Sequence, residues 1–457
     1  MKHEFTLEEL DQYYERSAER IDIDSYYSPD LFAKHNVKRG LRNEDGTGVV
    51  VGLTEIGDVH SYVIVDGKKI PQHGRLIYRG IDVYDLVDTC LEENRFGFEE
   101  CAYLLLFGEL PNWEQLNEFN AVLAYNRCLP EGFVRDIIMK APSVNIMNKL
   151  AYSILAAYSY DKNPEDTSVK NLFRQSMEII SRFPLMAAYS YQAKSHYHLG
   201  NSLFIHKPQT HLSTAENILY LSRPDCAYTP LEATTLDTAL ILHAEHGGGN
   251  NSTFTSHVVA STGTDIYSCI AAALCSLKGP KHGGANLKVM EMMDEIKHSV
   301  KNWSSESEIR DYLAKIMRKE AYDRSGLIYG IGHAVYTLSD PRCVLLKKKA
   351  KKLAAEKGRM EEYELYEKVE RLGIEVFKEI KKSDKAMCAN VDFYSGFVYN
   401  MLNIPVDLYT PIFATARVVG LCAHIIEEVI NGGRIIRPAY QNVKELAEYV
   451  PIDQRKQ

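Results

Sequence analysis

The sequence predicts a mostly helical protein with one short β-hairpin segment near its N-terminus, and three observations carry that prediction. Apolar residues recur at helical spacing from about Asp82 onward. A single stretch, Asp58-Val-His-Ser-Tyr-Val-Ile-Val-Asp-Gly67, is instead rich in β-branched and aromatic residues and runs into an Asp-Gly turn signal, with a second short run at Arg75-Leu-Ile-Tyr78. Glycine, proline or asparagine closes the helical runs, as at Gly108, Gly247-Gly-Gly-Asn250, Gly279-Pro280, Gly358 and Asn431-Gly-Gly433.

Composition sets the outer limits. At 457 residues, with 45% hydrophobic and 25% charged side chains, the chain is long enough for two or three domains and a deep core. A net charge of -8 argues against nucleic acid as a partner. The nine cysteines are odd in number, scattered and without a Cys-x-x-Cys pair, which suits buried thiols in a reducing compartment. No run approaches the ~20 apolar residues of a membrane span, and the N-terminus lacks an apolar signal core. The expectation is a cytoplasmic protein with no membrane partner.

The elements follow in order. Thr6-Leu-Glu-Glu9 reads as a capping box opening a helix with Leu7, Leu10, Tyr14, Ala18 and Ile21 at its apolar positions. After the hairpin, Phe98 to Pro111 forms an amphipathic helix closed by Gly108 and Pro111. Further helices are predicted over 114–127, 130–140, 143–160, 166–194 and 213–222. The histidine-rich segment from Gln192 to Leu212 has no helical period and reads as a loop with solvated histidines. The next helix runs from Leu231 to His246. His243 and His246 share a face at a spacing that zinc sites use, but no third ligand follows at metal-site spacing, so no metal is assigned.

Asp265 to Leu277 is apolar almost all round, the pattern of a helix buried in a large core. Thr264 or Asp265 caps it, Gly279-Pro280 stops it, and its end presents His282. Gly283 and Gly284 let the backbone approach whatever His282 faces. Taken alone, the stretch reads equally well as a polar turn. Residues 288–320 are charged and helical. Tyr329-Gly-Ile-Gly-His333 presents another histidine behind two glycines, without the third glycine and strand-loop-helix context of a dinucleotide fingerprint.

Ser339-Asp-Pro-Arg342 opens a helix with Asp340 as cap and Pro341 at the first position. Arg342 in that first turn opposes the helix dipole, a placement that makes sense if an anion sits there. Farther on, Glu364/Lys368 and Glu367/Arg371 mark a solvated helix face by their i,i+4 spacing. Asn390-Val-Asp-Phe-Tyr-Ser-Gly396 starts an apolar helix, where an N-cap is the ordinary job for Asp392. Ile412 to Ile430 is strongly apolar with one cation, Arg417, which is expensive to bury without an anion.

Together, His-Ala-Glu-His-Gly-Gly-Gly-Asn250, Gly-Pro-Lys-His-Gly-Gly-Ala-Asn286, Gly-Ile-Gly-His-Ala-Val335, Asp-Pro-Arg342 and Asn-Val-Asp-Phe-Tyr-Ser-Gly396 resemble, in kind and order, the motifs of the citrate synthase family. Tyr78-Arg-Gly-Ile81 and Glu99 to Pro111 resemble that family's N-terminal signature, so the resemblance covers about residues 70–440. It implies a multi-helical homodimer with a large domain of residues 1–283 and 404–457 and a smaller inserted domain of 284–403, which close on each other around oxaloacetate.

The implied reaction condenses acetyl-CoA with oxaloacetate and hydrolyses the citryl thioester. By resemblance Asp392 is the base that takes the methyl proton, His282 the donor to the thioester oxygen and His333 the donor to the oxaloacetate ketone. His246, Arg342 and Arg417 bind oxaloacetate, and Arg437 serves the other subunit's site. No cofactor is permanently bound, and acetyl-CoA is a co-substrate. The run Ala-Val-Tyr-Thr-Leu338 lacks the basic residue that family members commonly use for the CoA phosphates, which leaves the CoA contacts open, with nearby lysines such as Lys347 as substitutes. The first 50 residues carry no assignable signature. Two other readings stay open: 2-methylcitrate synthase acting on propionyl-CoA, and, remotely, a zinc-binding structural protein.

Overall fold

Helix formation dominates because apolar runs with capped starts and glycine stops fill the chain. The computed structural model describes residues 6–43, 46–66, 68–383 and 386–455, which form two units. Gly67, the second residue of the expected Asp-Gly turn, lies outside the described residues.

One unit comprises Met1–Gly52 and Arg437–Gln457. Its main element is the helix Leu7–Ser25, opened by the expected capping box: the Thr6 side chain accepts from Glu9 N, and Glu9 reaches back to Thr6 N. The expected apolar positions of this helix are largely uncovered, with Leu7 88% and Ile21 63% exposed.

The other unit, Leu53–Ile436, holds the rest. Its three-stranded antiparallel sheet has the order β1 (Gly57–Val65), β2 (Lys68–Tyr78), β3 (Ile81–Asp82). β1 pairs with β2 from Gly57 opposite Tyr78 to Val65 opposite Lys68, with an irregularity between His60 and Tyr62. The second strand is longer than the four residues expected, because Lys68 to Gly74 continue the ladder although the run Lys-Lys-Ile-Pro-Gln-His-Gly does not alternate polar with apolar residues.

The helices pack around one central element, Tyr409–Ile430, which contacts the helices Phe98–Phe107, Val169–Leu199, Pro230–His243, Asn251–Ala260 and Ile266–Leu277. It is buried from Tyr409 through Ile425 apart from Phe413. Burying an element on all sides calls for apolar residues on all sides, as its sequence supplies. Among the described residues no helix is long and apolar enough to cross a membrane.

Several expectations change. The helix beginning at Val169 runs on to Leu199, so His196 and His198 stand in its last turn; Gly200, in the left-handed region at φ 73°, is the stop. The charged segment 288–320 is two helices, Ala285–Ser299 and Glu306–Met317, separated by the Asn302-to-Ser305 turn. Lys368 and Arg371 find partners on other elements: Lys368 Nζ donates to Trp303 O at 2.9 Å, and Arg371 pairs with Glu306. The expected solvated face is therefore partly a helix-to-helix contact.

Candidate active site

Six of the seven side chains singled out from sequence converge inside the Leu53–Ile436 unit. The seventh, Arg437, is exposed and belongs to the other unit.

The Pro230–His243 helix ends three residues earlier than expected, with Ala244 as its C-cap. Tyr78, fully buried at the end of β2, sets its hydroxyl 2.9 Å from Ile241 O and 3.1 Å from Glu245 O, and Gly247 turns the chain at φ 77°. His246 therefore lies in the turn and shares no helical face with His243, whose ring packs on Phe413 at 4.6 Å. Burial, Arg342, His333, Arg417 and His282 together push the His246 pKa well down, so its ring is neutral.

Asp265 caps the helix Ile266–Leu277 as expected, and Lys278 ends it. Gly283 has an internal reason for lacking a side chain: a Cβ there would stand 2.5 Å from Leu277 O and 2.9 Å from Thr410 Cγ2. The glycine makes room for the protein itself, which corrects the expectation that it opens space beside His282. Thr410 Oγ1 also donates to Gly283 O at 3.0 Å.

His282 Nε2 lies 3.0 Å from Ser252 Oγ. Burial and then Arg417 lower the His282 pKa to about 4. Ser252 sits in the helix Asn251–Ala260, which sequence pattern left unassigned. Gly247-Gly-Gly-Asn250 reads as the stop of one helix, yet Asn250 also caps the next, accepting from Thr253 N at 3.1 Å. That capping signal was available.

His333 and Asp392 are placed by a short pairing between their loops that no local pattern announces. Ile331 bridges Ala389, Gly332 N donates to Cys388 O at 2.7 Å, and Asn390 N donates to Gly330 O at 2.9 Å. Gly330 and Gly332 adopt φ of 79° and 100°, which only glycine takes readily. His333 Nδ1 accepts from the backbone N–H of Val335 at 3.0 Å and of Tyr336 at 3.1 Å. A neutral ring held this way carries its proton on Nε2. Tyr336 stacks on it at 4.7 Å, and the His246 ring stands 5.4 Å away.

The loop is also tied to the sheet: Ser61 Oγ donates to Val335 O at 2.5 Å and Gly74 N donates to Ser339 O at 3.1 Å.

Arg342 is buried with Asp340, whose carboxylate caps the helix at Arg342 N (3.0 Å) and takes the guanidinium through Nε at 3.0 Å and Nη2 at 2.8 Å. Burial disfavours the charge on Arg342, and Asp340 more than offsets it, so the pKa is raised. The first-turn arginine thus has its anion in the cap residue, an interaction the sequence reading missed. Arg342 Nη2 still reaches within 3.4 Å of His333 Nε2.

Arg417 is 1% exposed. Its Nε donates to His243 O at 2.8 Å and it lies 4.8 Å over the Phe413 ring, while Nη2 has no hydrogen-bond partner among the described residues.

Asp392 is the first residue of its helix, not the cap; Val391 holds that position and no side chain caps the end. The carboxylate is therefore uncommitted to the ordinary job. Burial raises its pKa to about 6, against the pull of Arg342. Lys347, proposed for CoA phosphates, pairs instead with Glu370 at 2.8 Å and Glu367 at 3.3 Å.

The arrangement offers a carboxylate whose pKa is raised to about 6, two imidazoles anchored by one nitrogen each, and two buried cations, one with an unpartnered nitrogen. Among the described residues no three His, Cys, Asp or Glu side chains are grouped to hold a metal.

A family model described as citrate synthase, C-terminal domain, matches residues 44–439. The citrate synthase of Haloferax volcanii is 32% identical over 426 residues, spanning 92% of this chain and 99% of that protein. Citrate synthase 2 of Bacillus subtilis is 36% identical over 83% of this chain and 93% of its own length. The 2-methylcitrate synthase 1 of Corynebacterium glutamicum is 32% identical over 87% and 97%. Among solved structures, a ternary complex of carboxymethyl coenzyme A and oxaloacetate with the citrate synthase of Thermoplasma acidophilum superposes with a TM-score of 0.75 at 26% identity, covering 92% of this chain and 99% of that one.

Proposed function

The chain belongs to the citrate synthase family, and from that premise we propose that it condenses acetyl-CoA with oxaloacetate to give citrate and free CoA. One observation carries the assignment of roles: Asp392, half-buried at a helix start, caps nothing and has a pKa raised to about 6. A thioester methyl is a weak acid, so its proton is removed only if a base and a donor to the carbonyl oxygen act together. Asp392 takes the proton. His282 donates to the oxygen, its ring anchored at Nε2 by Ser252 Oγ 3.0 Å away, whose own proton goes to Asn250 Oδ1 at 2.9 Å.

The enol carbon then attacks the ketone carbon of oxaloacetate, and His333 Nε2 gives its proton to the developing alkoxide. Water cleaves the citryl thioester, releasing CoA. Arg342, Arg417 and His246 hold the carboxylates and hydroxyl of the substrate, and Arg437 completes the site of a second subunit in a homodimer. Closure of residues 284–403 on 1–283 and 404–457 excludes water during the condensation. The chemistry requires no resident cofactor. Such an enzyme serves the tricarboxylic acid cycle, and nine unpaired cysteines suit the reducing cytoplasm.

The test is oxaloacetate-dependent release of CoA thiol from acetyl-CoA, repeated with Asp392→Ala. No release by the unaltered enzyme overturns the synthase reading; unchanged release by the variant overturns the base alone. The relatives named 2-methylcitrate synthase favour propionyl-CoA as a second acyl donor. One methylene is worth about 1–3 kcal/mol in a pocket, so relative rates with the two thioesters decide between them.

A further inference from the structure

Behind Arg417 and the His246 turn lies a buried polar chain that the reaction above does not use. Glu245 is wholly buried and so tightly enclosed that a Cβ at Gly420 would stand 2.5 Å from its Oε2 and one at Gly57 2.8 Å from its Oε1. Neither oxygen has an aligned hydrogen bond among the described residues. His424 Nε2 approaches Oε1 at 3.1 Å, an ionic contact rather than a straight hydrogen bond. His424 Nδ1 is in turn 3.2 Å from His257 Nε2, and His257 Nδ1 is 2.8 Å from Glu428 Oε2.

These contacts fix a proton count. The Glu428 contact needs a proton on His257 Nδ1, so a neutral His257 presents a lone pair at Nε2. His424 must then donate from Nδ1. A neutral His424 would consequently turn a lone pair from Nε2 onto the Glu245 carboxylate, two negative ends 3.1 Å apart between wholly buried side chains. One further proton between Glu245 and His424 removes the conflict. The groups facing His424 suit this charge: Glu245 from the turn, His257 from the helix Asn251–Ala260, and Glu427, Glu428 and Arg417 from its own helix. Glu427 Oε2 is 3.8 Å from Nδ1, and the Glu427 carboxylate also receives the Glu55 backbone N–H at 2.8 Å. The Tyr78 hydroxyl meets the backbone of Ile241 and Glu245 and not the Glu245 carboxylate.

We propose that Glu245 and His424 are positioning residues which share this proton and thereby leave Arg417 free for a substrate carboxylate. With the proton present, Glu245 is answered by His424, two helical turns along from Arg417. Without it, the buried carboxylate has Arg417 as its remaining cation and draws it from the substrate. Burial raises the Glu245 pKa, but His424 outweighs it and the net direction is down. Burial and His424 together lower that of His257.

The inference rests on Arg417 binding oxaloacetate, so it is tested by two separable measurements. Calorimetric binding of oxaloacetate from pH 6.5 to 9.5 is expected to weaken about tenfold at the alkaline end in the unaltered enzyme, roughly the loss of one charge contact. His424→Gln should bind weakly at every pH, and Glu245→Gln tightly at every pH, with the changes in Kd and KM and not in kcat. A flat profile in the unaltered enzyme overturns the proposal even if a variant fails to fold. Independently of any turnover, neutron diffraction near pH 7 should show a deuteron on the His424 Nε2 to Glu245 Oε1 contact. Its absence overturns the shared proton, whereas its presence in an enzyme that binds no oxaloacetate overturns the link to Arg417.

Discussion

Asp392 does two opposed things, and its pKa ties them together. Its folded value of about 6 is raised above the ordinary aspartate value of 3.8. The fold therefore favours the protonated form: that stability is full below the unfolded value and is lost as pH rises through about 6. The ionised form is the one a base requires. Asp392→Asn should accordingly raise Tm at pH 7.5 while lowering kcat by about 100-fold or more, measured by thermal melts and thiol release. For the unaltered enzyme, log(kcat/KM) should fall below an apparent pKa near 6. A flat acid limb would remove Asp392 as the base. Ser252 is the companion case. Ser252→Ala deletes the anchor on His282 Nε2 and should lower kcat roughly 10-fold or more with little effect on oxaloacetate KM, read by steady-state kinetics.

Most of these side chains were legible because glycine, proline and helix-end chemistry frame them in the chain. Glu245 and His257 were not, because their partners come from elements distant in sequence.

At the scale of elements, the small sheet matters for where it holds the His333 loop. Gly74 has no room for a side chain: a Cβ would stand 2.2 Å from Ser339 O and 2.5 Å from Tyr336 Cδ1. Backbone oxygen cannot swing aside as a side chain can. Gly74→Ala should therefore push β2 away from the segment leading to Arg342, costing about 1–3 kcal/mol and raising the oxaloacetate KM. Unchanged Tm and KM would show that the strand is a mere cover. The hairpin itself was legible from alternation and an Asp-Gly turn. Its contact with the 335–339 segment was not, since pairing across more than 250 residues leaves no mark on local spacing. The same limit hid the bridge between Ile331 and Ala389. The helix Asn251–Ala260 was missed for another reason: its start coincides with the stop of its predecessor, and one Asn serves both.

At the scale of the whole molecule, the ties from Ser61 to Val335 and from Gly74 to Ser339 join the segments proposed to move against each other. Opening must break them, so small-angle scattering should report a more compact particle with oxaloacetate than without; identical profiles would count against closure. The proposed dimer makes a sharper demand. If Arg437 serves the partner's site, an Asp392→Asn subunit and an Arg437→Ala subunit, each poorly active alone, should complement each other. In a mixed dimer one site joins an intact Asp392 to the other subunit's intact Arg437, and the second site lacks both. Random reassociation makes half the dimers mixed, so about a quarter of the unaltered activity should return. Arg437 acting within its own chain predicts no recovery, because no mixed site would then hold both residues. Thiol release measured before and after denaturation and refolding of the mixture separates the two outcomes.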